Sequence, residues 1–161
     1  GDVSHTLEYV PSAALAAARV GMDITIAAPE GCDLDPEDVA RIQSLARAAG
    51  GGAIAVVQDQ SAAIAGADAV YAKSWGPLSL FGQPEAQRAW FDRSRGWRLT
   101  AEQMRTTRGG RGIAMHCLPV RRNVEVDDAV LDGPQSVVVD EAENRLHVQR
   151  ALLLSMIGSV R

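Results

Sequence analysis

The residues best placed to do chemistry are Met115-His116-Cys117-Leu118-Pro119-Val120-Arg121-Arg122-Asn123. A small apolar and β-branched run, Gly112-Ile113-Ala114-Met115, leads into them. This is the pattern of a strand that delivers polar side chains at its carboxyl end, where ligands sit in an open parallel sheet. Pro119 lacks a backbone donor and restricts Leu118 to extended conformations, so the chain cannot pass directly into a helix. The carbonyls of Cys117 and Leu118 are then free to accept from a ligand that carries an amide NH2. Read residue by residue, the stretch is also compatible with a core strand, a Cys packed as a small hydrophobe and solvated arginines. A His116–Cys117 nucleophile pair is disfavoured, because adjacent strand residues point to opposite faces.

The elements that must position this stretch follow from the rest of the chain. An Ala-rich helix is expected over 6–20, with Gly21 at its end. A β-branched strand follows over 23–28, closed by Pro29 and Gly31. Asp35-Pro36 opens a helix running to Ala49, which stops at Gly50-Gly51-Gly52. Strands at 53–57 and 67–72 flank a short helix at 61–65, and a loop over 73–83 carries Trp75, Leu78, Leu80 and Phe81. Beyond it, helices are expected over 84–97 and from a capping box at Thr100-Ala101-Glu102-Gln103. The strand ending at His116 comes next, then a short helix at 127–131, a last strand at 136–140 and a long helix over 141–157. Strand–helix alternation with near-continuous apolar strands predicts an α/β, Rossmann-like parallel sheet with helices on both faces.

Composition narrows the function classes. The chain has 161 residues, 47% of them hydrophobic, and a formal net charge of −4 without a charge block. That is enough for one real core and too little for two domains. No basic stripe marks a nucleic-acid partner. Two cysteines, Cys32 and Cys117, show no CxxC spacing, so neither a disulfide framework nor a metal site is expected, and a cytoplasmic location is. No apolar run approaches the ~18 residues that cross a bilayer, so no membrane partner is expected. Gly50-Gly51-Gly52 is a helix stop and not a phosphate cradle, since no Lys-Ser/Thr follows it. No cofactor is expected.

His116-Cys117-Leu118-Pro119 with Arg121-Arg122-Asn123 resembles the substrate loop of the aspartate/ornithine carbamoyltransferase family, most closely its N-acylated-ornithine branch. The block from Asp140-Glu141-Ala142-Glu143-Asn144-Arg145 to Gln149 is similar to the start of that family's C-terminal helix. Tyr71-Ala72-Lys73-Ser74-Trp75-Gly76 is similar to its flexible substrate loop. Three blocks in the family's order cover essentially the whole chain, but only the second domain of the family's two. The resemblance therefore implies that residues 1–161 are a carbamoyltransferase amino-acid-binding domain, lacking its first strand and the carbamoyl-phosphate-binding domain. Gly1-Asp2-Val3-Ser4-His5 would begin just after that strand, so a fragment, or a chain completed by another, is expected.

The implied reaction is attack of a side-chain amine on the carbamoyl carbon of carbamoyl phosphate, in arginine biosynthesis, by a trimeric enzyme whose sites lie between domains and subunits. Arg145 and His116 would address the carbamoyl oxygen, and the Cys117 and Leu118 carbonyls the carbamoyl NH2, which calls for a cis Leu118–Pro119 peptide. Removing one donor from such a site costs ~3 kcal/mol of barrier. Arg121 would bind the α-carboxylate, as a guanidinium fork fits that geometry. Lys73 stands where ornithine members carry an Asp that holds the free α-amino group, so a cation there favours an N-acylated acceptor. His5 and Trp75 would also face the amino acid. Glu125 occupies a position where N-acylornithine members usually show a Lys, which leaves the acyl group open. The family's phosphate-binding Ser-x-Arg-Thr motif does not occur in the chain. Residues 1–161 alone are therefore expected to be inactive. The alternatives are a non-catalytic binding or regulatory domain of the same fold, and an enzyme acting on free ornithine.

Overall fold

The structure, a computed structural model, describes residues 5–158, with residues 5–11 and 78 described by their backbone alone. The expected break before Gly1 and the side chain of His5 lie outside the described residues. The chain forms two compact units, one from residues up to 65 together with 73–98, the other from 66–72 and 99 onward.

In the first unit, helix α1 (His5–Arg19) ends at Gly21, whose φ of 74° a side chain would resist. Strand β1 (Ile24–Ala27) pairs in parallel with β2 (Ile54–Val57), Ile24 opposite Ile54 and Ala27 opposite Val57. Between them runs α2 (Pro36–Ala48), where Asp35 accepts from the Glu37 N–H at 2.8 Å and Pro36 occupies the first turn. Ala14, Ala18, Ile26, Ile42 and Ala46 form the core between these elements. The alanines let α1 and α2 come close. Helix α3 (Gln60–Ile64) is capped by the Asp59 carboxylate. The later part of the unit holds a 3₁₀ turn at Leu78–Leu80 and helix α4 (Pro84–Arg93). Helix α4 stops earlier than the sequence pattern suggests: Ser94 closes it, and Trp97 N–H bonds the Ser94 carbonyl in a turn.

The second unit pairs β3 (Ala69–Ala72) in parallel with β4 (Ile113–His116), Ala72 opposite His116. Helix α5 (Ala101–Arg105) carries the expected capping box of Thr100 and Gln103. The turn between α5 and β4 is a 3₁₀ segment, Arg108–Gly110. Thr107 aligns it: its hydroxyl donates to the Met104 carbonyl at 2.6 Å and accepts from the Gly112 N–H at 2.9 Å. Helix α6 (Asp128–Leu131) and helix α7 (Val138–Gly158) complete the unit. Leu99, Met104, Ala114, Val126, Val130 and Val138 are buried.

The strand expected over 136–140 is reduced to one parallel bridge, Ala114 to Ser136. Helix α7 begins at Val138 instead of residue 141. The acidic pair Asp140 and Glu141 in its first turn favours the positive end of the helix dipole, which overrides the β propensity of Val137-Val138-Val139.

Candidate active site at the carboxyl end of β4

The chain leaves β4 at His116 and turns sharply. The Leu118–Pro119 peptide is cis, and Leu118 has φ 52°, in the left-handed region and not the extended one expected before a proline. The imidazole of His116 is wholly covered, and its Nδ1 accepts from the Leu118 N–H at 3.0 Å. A nitrogen that accepts carries no proton, so the ring hydrogen sits on Nε2. Nε2 lies 3.2 Å from Glu125 Oε2, but off the hydrogen-bonding direction, so this buried N–H has no aligned acceptor among the described residues. A buried donor left without an acceptor costs free energy that a ligand oxygen could recover.

Glu125, expected on the substrate side, is drawn into the fold. Its side chain is wholly buried, with Oε1 accepting from Arg121 Nε at 2.6 Å and Oε2 from the Arg121 N–H at 3.0 Å. The cause is a single helical turn: the Arg121 carbonyl accepts from Glu125 N–H at 3.0 Å, which puts the two side chains on one side. The Glu125 carbonyl in turn accepts from the Leu99 N–H at 2.9 Å, anchoring that turn to the segment before α5. Arg121 is about half exposed, at 49%, with its Nε edge given to Glu125. An i, i+4 Arg–Glu spacing was the signal in the sequence for this pair.

Arg145, exposed on α7, donates from Nη2 to the Cys117 carbonyl at 3.0 Å. A guanidinium and a carbonyl thus meet at the end of β4. Arg122 is engaged by two carboxylates. Its guanidinium binds Asp132 through both terminal nitrogens, at 2.7 and 2.8 Å, and Asp128 at 2.7 Å. These bonds hold the Asp128 and Asp132 carboxyls below the usual carboxylate range and Arg122 above its own. Asn123, at φ 58°, accepts from the Asp128 N–H with its side-chain oxygen and so caps α6 from outside.

Two groups not singled out by sequence reasoning stand beside the loop. Tyr71 Oη donates to Glu141 Oε1 at 2.7 Å, and Glu141 Oε2 accepts from the His116 N–H at 3.1 Å. Burial, and then the Glu141 hydrogen bond, push the Tyr71 hydroxyl well above its ordinary pKa, so it remains a donor.

Lys73 and Trp75 belong to the first unit. Trp75 is only 7% exposed and packs against Trp90 and Phe91, with ring centroids 5.6 and 5.3 Å apart. This aromatic cluster holds the start of the 73–83 loop onto α4. The Trp75 indole N–H has no hydrogen-bond partner among the described residues. Nearby, burial pushes the Cys32 thiol up to about 11, against the Gly76 N–H that lowers it, which keeps the sulfur protonated. Lys73 is half-buried.

No helix among the described residues is long and apolar enough to cross a membrane. The family profile described as "Aspartate/ornithine carbamoyltransferase, Asp/Orn binding domain" matches residues 1–156. The chain is 41% identical over 150 residues to N-acetylornithine carbamoyltransferase of Xanthomonas campestris pv. campestris, covering 93% of this chain and 44% of that protein. It is 45% identical over 136 residues to ornithine carbamoyltransferase of Symbiobacterium thermophilum, covering 84% and 42%. A crystal structure of acetylornithine transcarbamylase complexed with acetylcitrulline superposes with a TM-score of 0.82 at 40% identity, over 91% of this chain and 43% of that one. The chain thus spans less than half the length of these relatives. With parallel strands, a cis-proline loop at the end of β4 and a profile match over almost its whole length, the chain belongs to the aspartate/ornithine carbamoyltransferase family, in its Asp/Orn binding domain.

Proposed function

We propose that the full-length protein transfers a carbamoyl group from carbamoyl phosphate to the side-chain amine of an ornithine-type amino acid, with an N-acylated ornithine as the favoured acceptor. The observation that carries this reading is the meeting of Arg145 Nη2 with the Cys117 carbonyl at 3.0 Å. A cation that binds oxygen beside a carbonyl that binds N–H complements the two ends of a carbamoyl group. In the reaction the amine lone pair attacks the carbamoyl carbon, and negative charge grows on the carbamoyl oxygen. The C–O bond to phosphate then breaks, phosphate departs with the electron pair, and the amine loses a proton. Arg145 and the Nε2–H of His116 stabilise the growing charge, the Cys117 and Leu118 carbonyls orient the NH2, and Arg121 holds the acceptor's α-carboxylate. Glu125 acts from inside the fold, holding Arg121 and facing His116, and touches no substrate. His5, Lys73 and Trp75 are assigned to the acceptor side, where a cation at Lys73 disfavours a free α-ammonium.

Relatives of both kinds support the reaction class. N-acetylornithine carbamoyltransferase and ornithine carbamoyltransferase both stand above 40% identity. Free ornithine is therefore the second reading for the acceptor. Residues 1–161 form the amino-acid-binding part of a homotrimeric, cytoplasmic enzyme of arginine biosynthesis in this proposal; Cys32 and Cys117 as free thiols fit a reducing compartment. The test is a citrulline-type product assay on the full-length protein with carbamoyl phosphate and, in turn, ornithine, acetylornithine and succinylornithine. Product from an acylated substrate at higher kcat/KM than from ornithine supports the reading. Preference for ornithine moves it to the second, and product from none leaves a binding domain without turnover.

A further inference from the structure

At the outer edge of β4, Ala114 N–H bonds the Gln135 carbonyl at 2.8 Å, and Val137 N–H bonds the Ala114 carbonyl at 3.0 Å. In a parallel ladder the next donor on that edge is the His116 N–H, and its acceptor would be the Val137 carbonyl. That carbonyl is taken. Glu141 N–H bonds it at 2.8 Å, because α7 has already begun. The same residue supplies the replacement: Glu141 Oε2 accepts from the His116 N–H at 3.1 Å. Its other oxygen receives the Tyr71 hydroxyl at 2.7 Å, from the strand beside β4. One carboxylate therefore joins β3, β4 and the first turn of α7 where the 116–119 loop departs. One helical turn later, Arg145 takes the Cys117 carbonyl. Helix α7 grips the loop at two successive residues, with an acceptor at Glu141 and then a donor at Arg145.

We propose that Glu141, backed by the Tyr71 hydroxyl, is a positioning residue that sets where the His116 ring and the Cys117 and Leu118 carbonyls point. The inference rests on the carbamoyl-transfer reading for its kinetic consequence and on the geometry alone for its structural one. The Tyr71 hydroxyl stays a donor at working pH. A loop released at its first residue misplaces the groups beyond it, and a displacement of about 1 Å at a reacting centre costs on the order of 100-fold in rate.

The test uses the full-length protein with Glu141→Ala, Glu141→Gln and Tyr71→Phe. Glu141→Ala is expected to lower kcat by about 10- to 100-fold while the KM values change little. Glu141→Gln restores most of kcat, because the amide oxygen still accepts from His116 and the amide NH2 can donate to Tyr71. Tyr71→Phe falls between. Hydrogen–deuterium exchange of the His116 amide quickens in Glu141→Ala and Tyr71→Phe and returns toward the parent rate in Glu141→Gln. Parent kcat in Glu141→Ala, or a lowered kcat with His116 exchange unchanged, overturns the proposal. If the parent protein turns over none of the acceptors, the carbamoyl-transfer reading fails and the exchange rates alone decide for or against Glu141. If Glu141→Ala does not fold, Tyr71→Phe decides: parent kcat and parent exchange overturn the assignment.

Discussion

Glu125 is a charge taken wholly out of water, and such a group is tolerated only when its partners satisfy it. Arg121 does so twice, through its N–H and Nε, and His116 stands 3.2 Å away. Glu125→Ala would strip Arg121 of both acceptors and leave a void. A cost of about 1–3 kcal/mol is expected for the lost bonds, read as a lower urea midpoint of the full-length protein. The acceptor's KM should rise with it, since Arg121 loses its support. Lys73 carries the specificity prediction. Lys73→Asp in the full-length enzyme should raise kcat/KM for free ornithine and lower it for acetylornithine, because the charge presented to the α-nitrogen is inverted. An unchanged ratio would remove Lys73 from the acceptor side. At this scale the sequence shows which residue types gather after β4, since a strand end, a proline and basic side chains are all local features. It does not show who holds whom. The Glu125–Arg121 pair depends on one helical turn, and the Glu141–His116 bond links residues 25 apart in sequence.

The elements that aim these residues depend on close approaches. Gly112 enters β4 where an added Cβ would lie 2.6 Å from Thr107 Cβ and 2.9 Å from the Ala67 carbonyl oxygen. Neither can move freely, since Thr107 is buried and bonded to both Met104 and Gly112. Gly112→Ala is therefore expected to destabilise by about 1–3 kcal/mol, seen as a lowered Tm. Helix α6 is tied on by Arg122 with Asp128 and Asp132, whose carboxyls are held below their usual range by that guanidinium. A lowered folded-state pKa gives stability that is complete above the unfolded value, about 3.9, and lost as pH falls through the folded one. The difference in urea midpoint between the parent and Arg122→Ala should thus be constant near neutral pH and vanish in acid. It should also shrink with salt, since the network is exposed. Caps and breakers made α2 and α5 legible in advance, because Asp35-Pro36 and the Thr100–Gln103 box act within a few residues. The start of α7 was not, as Val137-Val138-Val139 reads as a strand until the following acidic turn is weighed against it.

Across the whole molecule, α7 presents Leu146, Leu152, Leu153, Leu154, Met156 and Ile157 to solvent. Each such side chain would gain about 1.5–3 kcal/mol on full burial, so together they form a surface that favours a covering partner. The Ser-x-Arg-Thr motif that gathers cations around the phosphate in this family does not occur in the chain, which spans 44% of its Xanthomonas relative. Both observations lead to one expectation for residues 1–161 produced by themselves: no turnover with carbamoyl phosphate and acetylornithine, and self-association through α7. Sedimentation should show a concentration-dependent mass, and Leu153→Glu with Ile157→Glu should bring it back to a monomer without restoring turnover. Turnover by a clean monomer of residues 1–161 would mean that the phosphate is held by side chains here assigned to structure, and the division of labour proposed for this site would have to be redrawn.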